Sequence, residues 1–424
     1  MESNLLSHLS QYEMIRILTY IGQWLSDWYA IFVRELKHIF SDSGVLIIFF
    51  LAGLAYPALY GIIYSNGTLD DMPVAVVDES GSRTGRKFLR KLDATREVNV
   101  SRSCANMAEA ERLMQQREVH GIVLIPSDFE ERLASGQQAG VSVYADMSSF
   151  IYYKNLTMAV NMVMLDEMHG IQEARLSDAG MGSMADRLIH PIRYVDTMPY
   201  NRAMSYSVFF LSAVLLVIIQ QTMYFGVSML SGTMREEHRS FAVMPDRLQG
   251  RGISRTVLGR GAAYWLLYMG IGIYVAVLAP RMIGLPQNCP FGDILVLLIF
   301  FVSACVVFSF TFSTFIRHRE TVFVIFLLMS VVCLFLTGFS WPESSFPAFW
   351  RWFSYIFPST FAVRAFMNMN TAGAGLAMAE PQITALTVQI IVYYILSCVA
   401  VFFENRIIAH PESAQYGFSC RPCL

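Results

Sequence analysis

Long uncharged apolar runs alternate with charged stretches along this chain, and the lengths of those runs decide its class. Six of them, at residues 45–64, 206–230, 262–279, 294–316, 322–339 and 383–403, contain no Asp, Glu, Lys or Arg. A helix of about 20 residues at 1.5 Å per residue crosses roughly 30 Å of hydrocarbon. Each run therefore predicts a membrane-spanning helix, and Pro57 predicts a kink in the first. Residues 5–40 follow a different pattern, with Trp24, Trp28, Phe32 and Ile39 set against Asp27, Arg34, Glu35, Lys37 and His38 at helical spacing. Such a helix lies on a membrane surface. It lacks the compact apolar core and small-residue cleavage site of a secretory signal.

Between the first two runs the chain becomes ordinary in polarity. Short apolar runs at 73–77, 98–101, 121–125 and 141–145 predict strands, and the stretches 85–93, 107–117 and the one opening at 127–130 predict helices. Strands alternating with helices imply a small sheet with helices packed on it. Residues 150–176 then form one long amphipathic pattern that leads back to the second apolar run. No chemistry stands out here. Asp78 and Glu79 read as a solvated acidic turn after the first strand. His120, His169 and His190 lack the i, i+4 spacing of a metal pair. The N-x-S/T triplets at Asn66, Asn99 and Asn155 read as chance occurrences.

Composition agrees with a membrane protein, at 54% hydrophobic and only 15% charged residues. A net charge of −2 points to neither nucleic acid nor an acidic substrate. Cys305, Cys333 and Cys398 lie inside apolar runs and read as small core hydrophobes. The Cys420 and Cys423 pair has no second pair to complete a metal site, and Arg421 occupies the position a prenylation box would need for cysteine.

Two stretches break the pattern. Residues 338–358 hold Pro342, Pro347 and Pro358, three tryptophans, Glu343 and Arg351. A charge at the bilayer centre costs about 2.5–3.5 kcal/mol, so this is no straight lipid-facing helix. Irregular backbone at membrane depth must be covered by protein or water. The stretch reads either as a surface loop with an aromatic belt or as a re-entrant hairpin closing a path. The second stretch, between the second and third runs, carries Arg235, Arg239, Arg247, Arg251, Arg255 and Arg260. Arg317 and Arg319 follow the fourth run, whereas the loop after the third offers only Arg281. By the positive-inside rule the arginine-rich loops and both termini are cytoplasmic. The 65–202 region and the hairpin are then outside.

Gly338-Phe339, Pro342, Phe346-Pro347, Tyr355 and Pro358 together resemble the hairpin between the fifth and sixth spans of type 2 ABC exporter permeases. The stretch from Met234 to Pro245, with Arg235, Glu236, Glu237, Phe241 and Pro245 in its coupling loop, resembles that family's cytoplasmic coupling element, although His238 and Ser240-Phe241 depart from the usual Glu-x-Gly-Thr. Pro199-Tyr200-Asn201 is similar to the family's entry to the second span, with Arg202 in place of proline. The run from Pro73 to Ser80 resembles the opening of its outer insertion.

The resemblance implies an α-helical polytopic membrane protein with six spans, type V ABC exporter-like, and an inserted α/β extracytoplasmic domain. Its parts would be a cytoplasmic amphipathic elbow at 1–42, the first span at 43–64, the outer domain at 65–204, five further spans at 205–405 and a cytoplasmic tail at 406–424. A coupling loop at 231–260 and an outer re-entrant hairpin at 340–366 would carry the function. It implies a permease subunit that exports a drug, lipid or peptide-like substrate across the inner membrane, as in multidrug efflux. The chain has no G-x-x-x-x-G-K-[ST] run, so ATP and Mg belong on a cytoplasmic ABC ATPase partner and this chain binds no cofactor. No catalytic or metal-ligating residue is expected. Six spans make a thin pathway, which implies a second permease chain as a homodimer or paralogous heterodimer. A periplasmic adaptor and the lipid bilayer complete the partners, without nucleic acid. Two other classes compete: a membrane-anchored receptor or scaffold using its outer domain, and a polytopic membrane enzyme. The enzyme ranks last, because Asp293 and Glu320 merely flank spans.

Overall fold

Asp42 separates two helices of different character at the start of the chain. In a computed structural model, which describes residues 2–64, 68–181, 205–237, 252–371 and 373–409, α1 runs over Glu2–Ser41. The second helix, α2, spans Ser43–Ile63. The Asp42 carboxylate accepts from the backbone N–H of Gly44 at 2.9 Å and of Val45 at 3.1 Å, which starts α2. Helix α2 continues through Pro57, and its irregular part is a π-helical stretch at Ile47–Ala52. Phe241, Pro245, the 199–202 motif, Arg239, Arg247, Arg251, His190, Asn66 and the Cys420–Cys423 pair lie outside the described residues.

The chain divides into two compact units, Thr68–Thr197 and the combination of Met1–Gly67 with Met198–Leu424. In the first, β1 (Met72–Asp78), α3 (Arg83–Asp93), β2 (Val98–Cys104), α4 (Met107–Gln115), β3 (Gly121–Ile125), α5 (Phe129–Ala134), β4 (Ser142–Ala145) and α6 (Phe150–Asp178) follow in order. The sheet has the order β2-β1-β3-β4, with β1 parallel to both neighbours and β4 antiparallel at the edge. Its central strands are unbroken apolar runs because both faces are covered. Val74, Val76 and Val123 pack with Leu156, Ala159 and Val163 of α6 on one face, and Ala75, Val77 and Ile122 pack with Ala110 of α4 on the other. Edge strand β2 alternates toward polar, exposed residues.

The second unit is a helical bundle. Its remaining elements are α7 (Tyr206–Glu236), α8 (Ile253–Met282), α9 (Phe291–Ser313), α10 (Thr321–Leu336), α11 (Ala348–Ser354), α12 (Pro358–Phe366) and α13 (Glu380–Ala409). Among the described residues five helices are long and apolar enough to cross a membrane: α2, α7, α8, α9 and α13. The run at 322–339 forms α10, of 16 residues, about 24 Å long. It stops early because Gly338 takes φ +84°, a left-handed conformation that glycine adopts without a Cβ clash. Helix α7 is central and mostly buried, α9 nearly as much, whereas α2 and α13 are mostly exposed within one chain. Helix α8 begins nine residues before the apolar run that predicts it, so Arg255 and Arg260 lie in its first turns.

Candidate functional site

Polar side chains collect at both ends of α7. At its C-terminal end Arg235 donates from Nε to Glu404 Oε1 at 2.9 Å, and from Nη1 to the carbonyls of Ser313 at 2.6 Å and Ile316 at 2.7 Å. Carbonyls at a helix C-terminus lack intrahelical partners and favour a cation. Arg235 therefore joins α7 to the end of α9 and to α13. Expected in a partner contact, it has these donors engaged inside its own bundle. Glu236 accepts from the Arg319 backbone N–H at 3.0 Å and lies 3.3 Å from His318 Nδ1.

Arg319 is the centre of a second knot. Its two Nη atoms grip both oxygens of Asp42 at 2.8 and 3.0 Å, and Nη1 also donates to Thr233 Oγ1 at 3.1 Å. The α9–α10 connection can come this close because Gly44 and Gly232 face it. A Cβ would lie 2.5 Å from Arg319 Nη2 at Gly44, and 3.2 Å from the Arg319 nitrogen at Gly232. Burial raises the Asp42 carboxyl pKa, but the Arg319 guanidinium and the Val45 and Gly44 amides outweigh it and hold the group below its usual value.

Helix α1 is fastened to α8 by two further pairs. Arg255 meets Asp27 at 2.7 Å, and Arg260 meets Glu35 at 3.0 Å, with both carboxylates buried. Tyr264 donates to Glu35 Oε1 at 2.8 Å. Arg255 also lies over the Tyr20 ring and Arg260 over Phe310. Arg235, Arg260, Glu404, Ser231, Thr256 and Ser313 line a cavity of about 20 Å³ between α7, α8, α9 and α13, room for about one water.

The hairpin end is built around a residue that sequence reasoning missed. Arg364 of α12 pairs with Glu343 and donates from Nε to the Thr337 carbonyl at 3.2 Å, at the end of α10. Tyr355 donates to the other Glu343 oxygen, and that bond, helped by burial, pushes the Tyr355 phenol up. Glu343 is thus a paired carboxylate, with a partner on each oxygen. Phe339 packs edge-on against Phe210 of α7 at 5.7 Å. Pro342 precedes a 3-10 turn at Glu343–Ser345, extended Phe346 leads into Pro347 at the start of α11, and Pro358 occupies the first turn of α12.

The irregular backbone between α11 and α12 is covered by side chains of the long helices. Gln389 donates to the Tyr355 carbonyl at 2.7 Å, and Tyr393 to that of Ile356 at 2.7 Å. Gln220 accepts from the Ser359 N–H at 2.6 Å. Trp341, Phe349, Trp350 and Trp352 stay exposed. The signal for these partners was present: Gln220 and Gln389 are polar residues inside apolar runs, where a polar group needs a partner.

A family model described as ABC-2 family transporter protein matches residues 43–399. The chain belongs to the ABC-2 transporter family. No curated protein matches it. As an ABC-2 permease it is a membrane transport subunit, and the family implies an ABC ATPase as partner. The match takes in both polar ends of α7 as well as the α/β unit.

Proposed function

We propose that this permease exports its substrate across a bacterial cytoplasmic membrane, with both termini and the α7–α8 loop in the cytoplasm. ATP and Mg are held by a separate ATPase subunit that docks on that loop. The α/β unit and the hairpin face outward, α10 serves as the fifth of six spans, and a second permease chain completes the pathway. The substrate class is amphipathic: a drug, lipid or peptide.

The observation that supports this best is the anchoring of the α7–α8 loop. It leaves the bundle at Arg235 and Glu236, tied to α9, α13 and Arg319, and returns at Arg255 and Arg260, tied to α1. A loop held by ion pairs at both feet transmits a push from a docked motor into five helices. Cation-rich connections on that side accord with a cytoplasmic location.

The test is reconstitution of the permease with its ATPase subunit in proteoliposomes, with ATP hydrolysis measured against a panel of amphipathic drugs, lipids and peptides. Stimulation by one class, with ATP-dependent movement of that compound, is expected. A permease that neither binds the ATPase nor alters its hydrolysis with any compound would overturn the proposal.

A further inference from the structure

The two pairs between α1 and α8 do more than hold a surface helix in place. Asp27 and Glu35 are eight residues apart on α1, about 12 Å along the helix, and each meets an arginine in the first turns of α8. Between these two fastenings the helices approach closely. A Cβ on Gly259 would lie 2.9 Å from Ile31 Cγ2 and 3.1 Å from the Trp28 carbonyl, so α8 contributes no side chain there and Ile31 packs directly on its backbone. Ile31 and Ile39 are fully buried. Tyr264 gives Glu35 a second partner one turn beyond Arg260.

An arginine and a glutamate buried together hold their geometry strongly, because separating them leaves each charge desolvated and unpaired. Sliding or rolling α1 on α8 would separate both pairs and drive Ile31 into the α8 backbone. Helix α8 is also where the ATPase-facing loop re-enters the bundle.

We infer that α1 and α8 form a single lever, with Glu35 as the positioning residue that locks them, so that motion delivered to the α7–α8 loop moves both helices together. This rests on the coupling role proposed for that loop. Arg255 and Arg260 act as the lever's internal fastenings, and Glu35 touches neither substrate nor nucleotide.

The geometry supplies its own test. The Cβ of Ile31 lies 3.0 Å from the Cβ position at Gly259, closer than the roughly 3.5–4.5 Å that a disulfide takes, so a bridge forms there once α1 backs away from α8 by about half an ångström. The complex with its ATPase subunit is placed in proteoliposomes with a reporter cysteine, Phe349→Cys, on the exposed hairpin. Its labelling rate by a membrane-impermeant maleimide is compared without nucleotide and with ATP plus vanadate. Locking α1 to α8 through Ile31→Cys with Gly259→Cys is expected to leave the ATP-dependent change in labelling intact. Glu35→Gln is expected to abolish that change while ATP hydrolysis continues, and the swap Glu35→Arg with Arg260→Glu is expected to restore it.

A disulfide that abolishes the response overturns the lever, since it means that the helices must slide. A normal response in Glu35→Gln overturns the role of Glu35. If the unsubstituted chain carrying the reporter shows no ATP-dependent change, the coupling role of the loop fails instead. Should Glu35→Gln not fold, the disulfide arm decides alone.

Discussion

At one end of α7, Arg235 reaches two other helices through three hydrogen bonds, and Arg319 ties a neighbouring loop to the start of α2. At the other end Phe210 meets the hairpin through a ring contact, Arg364 pairs with Glu343 inside the hairpin and donates to the Thr337 carbonyl at the end of α10, and Gln220, Gln389 and Tyr393 bond the hairpin backbone. Both ends use arginine against carboxylate, but the settings differ. Asp27 and Glu35, which fasten α1 to α8 at the loop end, are almost wholly buried, whereas Glu343 is 31% exposed, about as open as the Glu404 partner of Arg235. The buried α1–α8 pairs resist separation, because each charge would be left desolvated, whereas the Glu343–Arg364 pair is within reach of water and costs less to part. In the proposed orientation the stiffer, buried pairs lie at the end where the ATPase docks and the more open pair lies at the outer end.

The largest effect that would break this comparison is on stability. Glu35→Ala leaves Arg260 buried without its carboxylate, and breaking a buried pair costs about 3–5 kcal/mol. A marked drop in thermal midpoint in detergent is expected, and an unchanged midpoint would remove the stiff end. Glu343→Leu should be milder, at about 1 kcal/mol, because a half-exposed pair gains little. Insertion and dimer assembly should survive while transport falls, measured as ATP-dependent substrate movement; undiminished transport would make Glu343 a mere loop residue.

The smallest effects come with pH and have opposite signs at the two ends. The Asp42 carboxyl titrates below its usual 3.8 in the fold. Its stabilisation is present above that value and is lost as pH falls through the folded value. The Tyr355 phenol is raised above 10.0, so its contribution is present below pH 10 and is lost as pH rises through the folded value. Acid should therefore loosen the junction at Arg319, and alkali the hairpin. Fluorescence of Trp341, Trp350 and Trp352 should respond to alkali in the native chain and shift less in Tyr355→Phe.

How much of this was legible in the sequence depended on whether neighbours in the chain are also neighbours in space. Periodicity gave the strands around Val74 and Val123, and apolar length gave α7 and α9, because both are local signals. Gly338 and Pro358 marked the hairpin's turns for the same reason. The pairings were not legible: Glu35 with Arg260 and Arg235 with Glu404 join residues more than 150 positions apart. Charge counting assigned Arg255 and Arg260 to topology alone, since a count carries no partner. The early start of α8 was missed because those arginines lower its hydropathy, while in the fold α1 neutralises them.

The orientation of the two ends is the claim on which everything else depends, and cysteine labelling tests it most directly. In intact cells, a membrane-impermeant maleimide should modify Ser135→Cys in the α/β unit and spare Gln249→Cys in the α7–α8 loop until the membrane is permeabilised. Labelling of Gln249→Cys from outside, with protection of Ser135→Cys, would place the stiff end away from ATP and contradict the account.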